Sequence, residues 1–277
     1  MGDNEAGKLY ICATPIGNLE DITLRVLRIL QEVDLIAAED TRNSAVLLKH
    51  YDITTPMTSY HEHNEATKAP VLLDKLKNGA SIALISDGGM PCLSDPGYVL
   101  VRACYDAGIE ATVLPGASAG LAALVLSGIS ARRYVFEGFL PQKASKRDEL
   151  LAKLAHDGRA IVIYEAPHRI LDTLIDLHKA FGDRQAAAVR EITKKFEQVN
   201  RGKLSELAEH FTHNLPRGEF VLVIEGCIDT PLDFDMSISE HVDGYIGGGM
   251  AEKEAIKKVA KERGLPKRDV YQEYKIQ

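Results

Sequence analysis

Residues 82–97, I-A-L-I-S-D-G-G-M-P-C-L-S-D-P-G, constrain the fold of this chain more than any other stretch. Residues 82–85 are four apolar side chains between two serines, a pattern that predicts a strand buried on both faces. The strand ends in Asp87, Gly88 and Gly89, where two missing side chains let a bound molecule approach the backbone. The stretch therefore predicts an α/β fold with a ligand loop at the carboxyl end of a buried strand.

The charges of this loop indicate the kind of ligand. No Lys or Arg occurs between Ser81 and Tyr98, whereas a phosphate-binding loop usually combines glycines with a cation or a helix N-terminus. Asp87 favours a neutral or cationic, sugar-bearing ligand. A tight turn in which Asp95 caps the next helix explains the same residues equally well, so both interpretations stay open.

Composition limits the class of protein. A chain of 277 residues that is 45% hydrophobic is large enough for one large or two ordinary domains with packed cores. It has no apolar run of roughly 18 residues and no signal-peptide pattern, so we expect a cytoplasmic protein. The four cysteines are far apart in sequence and predict neither a metal site nor a disulfide framework.

The charge distribution bears on nucleic-acid binding. A net charge of -7 argues against such a partner, because phosphate backbones favour basic surfaces. Residues 132–203, however, contain 15 Lys and Arg against 10 Asp and Glu. The sequence thus leaves open a local basic face or an ordinary mixture of solvated surface charges.

The order of predicted elements suggests three parts. Residues 8–118 alternate strands and helices and predict an α/β domain with a mostly parallel sheet. Strands outnumber helices in residues 119–228, which predicts a second α/β domain with a mixed sheet. Residues 229–235, with Pro231, predict a linker, and charged helices at 250–263 and 267–274 complete a small helical domain over 229–277. The glycines at 247–249 indicate mobility before these helices.

Several local signals specify where helices begin. Asp21 is the predicted N-cap of a helix over 22–33, Asp95 that of a helix ending near 107, and Pro167 the first residue of a helix to 181. His61 and His63 alternate after a weak strand, but no third ligand follows, so a metal there is a minor alternative. We expect no metal site.

Polar clusters follow several predicted strands. Residues 39–43 and 165–169 combine acids with bases at strand ends, where open α/β sheets place their chemistry. Residues 139–147 and 190–195 are basic turns, and residues 115–120 are small enough for close contact with a ligand. Each basic or acid–base cluster alone is more often a solvated loop or a helix cap, and the small residues at 115–120 could serve only helix–sheet packing.

Seven motifs, taken in order, carry a resemblance: A-T-P-I-G-N-L-E-D-I-T at 13–23, A-A-E-D-T-R at 37–42, the stretch at 86–97, P-G-A-S-A at 115–119, F-E-G-F-L-P at 136–141, E-A-P-H-R-I at 165–170 and R-E-I-T-K at 190–194. The set resembles the tetrapyrrole-methylase superfamily, specifically its bacterial members that methylate small-subunit ribosomal RNA. The resemblance covers nearly the whole chain. Gly89 and Met90 depart from the family pattern, which usually has Ala and Thr there.

The resemblance implies two α/β domains of the tetrapyrrole-methylase type, with S-adenosylmethionine in the cleft between them. It further implies a homodimer that methylates the ribose 2′-hydroxyl of a cytidine in small-subunit ribosomal RNA, as naked RNA or in an assembled 30S-type subunit. S-adenosylmethionine has a sulfonium and a ribose but no phosphate, which suits a loop with Asp and no Lys. The implied cofactor neighbours are Pro15, Ile16, Gly17, Asp87, Gly88, Met90, Ala117, Ser118, Ala119 and Tyr164.

Catalytic and RNA-binding residues follow from polar positions at strand ends. The catalytic candidates are Asp40, Arg42, Glu165, His168 and Arg169. Histidine could accept the hydroxyl proton and arginine could hold phosphate, although His168 and Asp40 could instead only begin helices. The RNA-binding candidates are Lys143, Lys146, Arg147, Arg190, Lys194 and Lys195. A small-molecule tetrapyrrole methylase and a non-catalytic RNA-binding assembly factor are the alternative functions.

Overall fold

The computed structural model describes residues 6–227, 236–263 and 265–275. By its internal contacts the chain divides into a large unit, Met1–Gly226, and a C-terminal unit, Cys227–Gln277. No helix in the described residues has both the length and the apolar character needed to cross a membrane.

The first sheet of the large unit has five strands, and all its pairings are parallel. Its strands, in the spatial order β3-β2-β4-β1-β5, are β1 Leu9–Cys12, β2 Leu35–Ala38, β3 Met57–Ser59, β4 Ile82–Ile85 and β5 Ala111–Leu114. The associated helices are α1 Leu24–Glu32, α2 Thr41–His50, α3 Glu65–Lys77 and α4 Tyr98–Asp106. All four residues of β4 are buried, and apolar clusters cover both faces of the sheet. The predicted parallel sheet is confirmed.

The second sheet is mixed, as predicted. Its strands, in the spatial order β6-β7-β10-β8-β9, are β6 Tyr134–Phe139, β7 Ala160–Glu165, β8 Gln185–Arg190, β9 Gln198–Lys203 and β10 Phe220–Ile224. Only β6 and β7 pair in parallel, and the other pairings are antiparallel. Helix α5 Ala119–Ser127 packs on one face, while the other face is covered by α6 Ala144–Leu154, α7 Ile170–Phe181 and α8 Leu204–His213.

The C-terminal unit is helical, which confirms the predicted appendage. It contains α9 Ile238–Gly247, α10 Glu252–Glu262 and α11 Lys267–Lys275, with Val242, Ile256 and Val259 in its own buried core. Helix α9 was not predicted, although Ser237 and Glu240 form a capping box at its start. The predicted linker lies largely outside the described residues, as does Gly264 of the predicted turn. The three domain boundaries stay predictions.

Several predicted helix starts are wrong. Asp21 ends a short 3-10 helix, and the N-cap of α1 is Thr23, whose side chain accepts a hydrogen bond from the Val26 N–H. The N-cap of α4 is Gly97, with a φ of 140°, rather than Asp95. Pro167 and His168 lie in a turn before α7, which begins at Ile170. By contrast, Asp40 is the N-cap of α2, as one of the two interpretations held.

The histidines at 61 and 63 lie in a turn rather than in a strand. Within the part of the chain that the structure describes, no group of three or more His, Cys, Asp or Glu residues is arranged to hold a metal ion.

Candidate functional site

A cavity of about 730 Å³ opens in the large unit at the carboxyl ends of the first sheet. Loops after β1 and β4 and the first turns of α2 form one wall, and the ends of β6, β7, β8 and the start of β10 form the other. Such a volume suits a ligand of a few hundred daltons. Except for Ala117, all the predicted cofactor neighbours line this cavity.

The floor of the cavity is a junction of two loops. Thr14 and Gly89 exchange two backbone hydrogen bonds of 2.9 Å, and the Thr14 hydroxyl donates to the Ser86 carbonyl at 3.1 Å. Gly89 has a φ of 86°, and a Cβ on Gly88 would lie 3.3 Å from the Pro15 carbonyl oxygen. The two glycines therefore serve this backbone junction as well as access for a ligand.

Asp87 lines the cavity directly before the two glycines, and hydrogen bonds to neighbouring residues fix its position. Its carboxylate accepts hydrogen bonds from the Asp40 N–H at 3.1 Å and from the Asn43 side chain at 2.9 Å. Its own N–H donates to the Glu39 carboxylate at 3.3 Å. A carboxylate has about four acceptor positions, so Asp87 keeps acceptor capacity for a ligand.

Carboxyl groups crowd this end of the sheet. Burial, reinforced by the negative charge of Glu39, raises the pKa of Asp95 to about 6. Burial and the charge of Asp87 also raise the pKa of Glu39. Asp87 and Asp95 both line the cavity, which gives it an acidic wall.

Tyr164 connects the second sheet to α5. Its hydroxyl accepts a hydrogen bond from the Gly120 N–H at 3.1 Å, one of the N–H groups that a helix start leaves without an internal partner. Its ring meets Phe136 and Phe139 edge-on, and burial raises its pKa. Tyr164 thus forms a fixed aromatic wall of the cavity.

Glu165 lines the cavity, but its acceptor positions serve the protein. The side chain is buried and accepts hydrogen bonds from the Ala166 N–H at 2.8 Å and the Thr173 hydroxyl at 2.6 Å. Arg169 approaches it at 3.4 Å and also donates to the Leu140 carbonyl at 3.2 Å. This geometry positions the loop between β7 and α7 more readily than it moves protons.

Lys194 crosses from the second sheet to the first. Its ammonium pairs with the carboxylates of Glu191 and Glu219, each at 3.0 Å. Its aliphatic chain packs against Gly17, where an added Cβ would lie only 2.4 Å from the Lys194 Cγ. Thr193 adds a hydrogen bond to the Asp21 carboxylate. Lys194 is therefore part of the cavity wall, with its charge already neutralised.

Backbone strain accumulates around the cavity. Cys92, Ser94, Glu191 and Thr193 have φ values of 70°, 68°, 50° and 65° without being glycine. All four lie in the loops that border the cavity, and Ser94 and Glu191 line it. Residues in this region persist only where their surroundings enforce it, and they concentrate at functional sites.

The other catalytic candidates lie outside the cavity lining. Asp40 caps α2 and pairs with Arg42 at 2.7 Å, and these hydrogen bonds from Arg42 lower the pKa of Asp40 to about 2. His168 is exposed in the turn before α7. Asp40 is therefore a weak base.

The predicted RNA-binding residues divide into two groups. Lys143 and Lys146 are exposed at the start of α6 and Lys195 is exposed beyond β8. Arg147 instead pairs with Asp176 of α7 at 2.7 Å, and Arg190 is half-buried at the end of β8.

Several lining residues are not among the individual site candidates named from the sequence, although most lie in or beside the clusters that it singled out. They include Asn43, Ser44, Asp95, Glu191 and Glu219. The Ser44 hydroxyl is buried and has no hydrogen-bond partner in the described structure, so it is available to a ligand. The signal for Asn43 and Ser44 was their position five and six residues after the end of β2, in the first turn of α2.

The family model described as Tetrapyrrole (Corrin/Porphyrin) Methylases matches residues 8–208. Among curated proteins, ribosomal RNA small subunit methyltransferase I of Synechocystis sp. is 48% identical over 269 residues, covering 96% of each chain. The proteins of that name from Halalkalibacterium halodurans and Bacillus subtilis are 44% and 43% identical, covering 98% and 99% of this chain and 96% of each relative.

Solved structures with similar folds are methyltransferase CobJ and a uroporphyrin-III C-methyltransferase from Thermus thermophilus complexed with S-adenyl homocysteine. CobJ has a TM-score of 0.62 at 17% identity, covering 80% of this chain and 95% of its own. The Thermus enzyme has a TM-score of 0.56 at 19% identity, covering 78% and 97%. At these identities the likeness shows a shared fold.

Proposed function

The chain belongs to the tetrapyrrole (corrin/porphyrin) methylase family, and on that premise we propose that it is an S-adenosylmethionine-dependent methyltransferase acting on small-subunit ribosomal RNA. The acceptor in this proposal is the ribose 2′-hydroxyl of a cytidine. The observation that carries it is the 43–48% identity, over nearly the full chain, to three proteins named for that RNA.

The residues of the cavity fit the proposed cofactor. Among the described residues, its charged lining consists of five acids, Asp87, Asp95, Glu165, Glu191 and Glu219, and one lysine. That lysine, Lys194, is paired with two of the acids. An acidic cavity attracts a cationic ligand and repels phosphate, which matches a sulfonium compound without phosphate groups.

Three groups of residues would hold the cofactor. Asp87 has spare acceptor capacity for a ribose hydroxyl or an ammonium group, and the Gly88–Gly89 backbone leaves room beside it. Tyr164 and the residues at the start of α5 form the opposite wall. When bound, S-adenosylmethionine supplies an electrophilic methyl group. The protein's part is to align the acceptor oxygen, exclude water and receive the hydroxyl proton.

The RNA would contact basic residues outside the acidic cavity. Lys143 and Lys146 are exposed at the start of α6, within the sequence region that has a surplus of basic residues. Phosphate contacts of this kind position RNA without reading its sequence. Selection of one cytidine would then depend on which nucleotide can reach the cavity.

A second copy of the chain is the partner that we propose for α5. The helix is apolar all round, and Leu121 and Val125 on its outer side are 50% and 78% exposed. Helices without a polar face are usually buried. Light scattering should give a dimer mass for the parental protein and a monomer for Val125→Lys. A parental monomer at micromolar concentration would contradict this assignment.

The methyltransferase proposal is tested by incubating the protein with methyl-labelled S-adenosylmethionine and small ribosomal subunits from cells that lack the enzyme. We expect one equivalent of label per subunit, resistant to alkaline cleavage at the modified nucleotide because a 2′-O-methyl group blocks that reaction. Naked small-subunit RNA in parallel distinguishes the two forms of substrate. Label on a base, or none on either form of RNA, would refute the proposal.

A further inference from the structure

We infer that Asp95 is the proton acceptor for methyl transfer, the group to which the ribose hydroxyl gives its proton as the new oxygen–carbon bond forms. The inference rests on the proposed function and deepens it. Asp95 lines the same cavity as the Gly88–Gly89 floor and Tyr164.

The loop that carries Asp95 is held in one shape by close contacts. Cys92 and Ser94 before it have positive φ values, and Gly97 after it has a φ of 140°. A Cβ on Gly97 would lie 2.5 Å from the Cys92 sulfur, and one on Gly138 would lie 2.7 Å from the Ser94 hydroxyl. A helix cap alone does not require such a loop, and the cap of α4 is Gly97. Asp95 is therefore positioned by strained backbone at the cavity.

Among the described residues, the charged and titratable groups that interact electrostatically with Asp95 are all acidic. They are Glu39 at the end of β2, Asp87 after β4, Cys92 in its own loop and Tyr164 on β7. In the described part of the chain Asp95 forms no salt bridge with Lys, Arg or His, so no cation offsets these charges. Burial and Glu39 thus raise the pKa of Asp95 to about 6, which makes it a stronger base than an ordinary aspartate and still mostly ionised at neutral pH.

The other acids near the cavity are less suited to this role. Asp40 is tied to Arg42, and its pKa is lowered to about 2. Glu165 accepts hydrogen bonds from Ala166 and Thr173. Asp87 accepts two as well, and Glu191 pairs with Lys194. Asp95, by contrast, lines the cavity and has no cationic partner among the described residues.

A separate observation indicates that a polar ligand group binds here. Ser44 of α2 and Ser86 after β4 both line the cavity, and both hydroxyls are buried without a hydrogen-bond partner in the described structure. Buried hydroxyl groups are nearly always paired, so these two are available to a polar group of a ligand.

The charge balance of the reaction also favours a carboxylate at this place. Loss of the methyl group turns a sulfonium into a neutral thioether, so one positive charge disappears from the cavity. The acceptor oxygen gains the methyl group and loses its proton, and Asp95 takes that proton and becomes neutral. The net charge of the cavity therefore stays constant, which limits the electrostatic cost of the step in a poorly solvated site. The proton then leaves Asp95 for solvent.

The experiment compares Asp95→Asn, Glu39→Gln and the control Asp74→Asn, which changes an exposed acid on α3. Single-turnover methylation of small subunits is measured at saturating cofactor from pH 5 to 8. The carboxyl carbon of Asp95 is titrated by NMR in the free protein and assigned by its absence in Asp95→Asn. Circular dichroism and thermal unfolding confirm that each variant is folded.

We expect the parental rate to fall as pH drops through about 6, together with protonation of Asp95. Asp95→Asn should lower the rate by ~10²-fold or more and remove this pH dependence, since general-base loss has that scale. Glu39→Gln removes a neighbouring negative charge and should move both the NMR titration and the rate profile to lower pH by the same amount. Asp74→Asn should match the parent in both measurements.

Two results would overturn the inference while leaving the proposed function intact. One is an Asp95→Asn rate at saturating cofactor that stays within about threefold of the parental rate, because loss of a general base should lower the rate by ~10²-fold. That result would assign Asp95 to cofactor attraction alone. The other is a Glu39→Gln protein in which the NMR titration moves and the rate profile does not. A parental protein that labels no RNA would overturn the proposed function, and this inference with it.

Discussion

Asp87 and Asp95 lie eight positions apart in one loop region, yet their surroundings give them different chemical properties. Asp87 is exposed and is held by donors from Asp40 and Asn43. Asp95 is half-buried among other acids. Two carboxyl groups of one type can therefore take separate roles, one in binding and one in proton transfer.

Replacing Asp87 tests its role in binding. Asp87→Ala should weaken cofactor affinity by roughly ten- to hundredfold, since a hydrogen bond to a charged acceptor is worth ~1.5–3 kcal/mol. Calorimetric titration gives the affinity, and Asp74→Ala is the matched control. An Asp87→Ala protein that is folded and binds the cofactor with parental affinity would remove Asp87 from the site.

Asp95 should also make the stability of the protein depend on pH. Its pKa is raised from 3.8 to about 6, so the folded state binds this proton more tightly than the unfolded state. Folding therefore loses stability as pH rises from about 4 to about 6, and Asp95→Asn should recover it. We expect a gain of about 1 kcal/mol at pH 7.5, reduced from the full linkage value by partial exposure to solvent, and little gain at pH 4.

Urea unfolding at the two pH values measures this gain. A variant that is destabilised equally at both would show that Asp95 contributes a structural contact and no buried charge. A variant that is more stable but less active would instead show that the site keeps its carboxylate at a cost in stability.

At the scale of elements, prediction from sequence succeeded where one pattern determines one structure. The apolar run at 82–85 became β4 with those bounds, because four apolar residues between polar ends favour a short buried strand. Asp95-Pro96 reads as the start of a helix, but the loop uses Gly97 for that purpose and turns Asp95 into the cavity. Only contacts between distant segments, such as Ser94 with Gly138, determine that choice.

The cavity shows the same limit. Residues near glycine motifs were predicted because their signal is local. Glu191 and Glu219 line the cavity because β8 and β10 are neighbours in the mixed sheet, although they lie 28 residues apart in sequence. The antiparallel pairing of β10 is a long-range choice that residue patterns do not specify.

Helix α5 depends on Tyr164 of β7 for one of its N-terminal contacts. Tyr164→Phe removes the acceptor of the Gly120 N–H and should destabilise the large unit by ~1–3 kcal/mol, the cost of a buried donor without a partner. Urea unfolding measures the change, and Tyr98→Phe, at an exposed tyrosine, is the control. Equal stability of both variants would mean that water replaces the lost acceptor.

At the scale of the whole molecule, the acidic cavity and the basic residues are separated. Lys143 and Lys146 lie at the start of α6 and are not among the residues that line the acidic cavity. The curated relatives also cover 96–99% of this chain, while the similar solved structures cover 78–80%. Regions outside the shared fold are thus retained in the relatives named for ribosomal RNA.

The separation of charges predicts a specific effect on RNA binding. Replacing Lys143 and Lys146 with Ala should weaken binding and make its salt dependence shallower, by roughly 0.7 to 0.9 in logarithmic slope per lost phosphate contact. Cofactor affinity should be unchanged. The double variant Lys75→Ala and Lys77→Ala on α3 is the control. An unchanged slope would exclude Lys143 and Lys146 as phosphate contacts and leave the exposed Lys195 as the next residue to replace.

The acidic cavity has a further consequence for the exchange of ligands. A cationic cofactor favours ionised carboxylates, so its binding should release protons near pH 6 and become tighter as pH rises through the pKa of Asp95. The demethylated product lacks the sulfonium charge. Its main effect on Asp95 is to exclude water, which disfavours the ionised carboxylate and raises its pKa further. Its binding should therefore take up protons and become tighter as pH falls.

Calorimetry in two buffers of different ionisation enthalpy measures these protons directly, with opposite signs expected for cofactor and product. In Asp95→Asn both signals should shrink towards zero. Equal signs in the parental protein would show that the carboxylates do not sense the ligand's charge. Opposite signs would mean that the cofactor favours the ionised carboxylate and the demethylated product favours the protonated one. The surrounding pH would then set the relative affinities of the two, and so how readily new cofactor replaces the product.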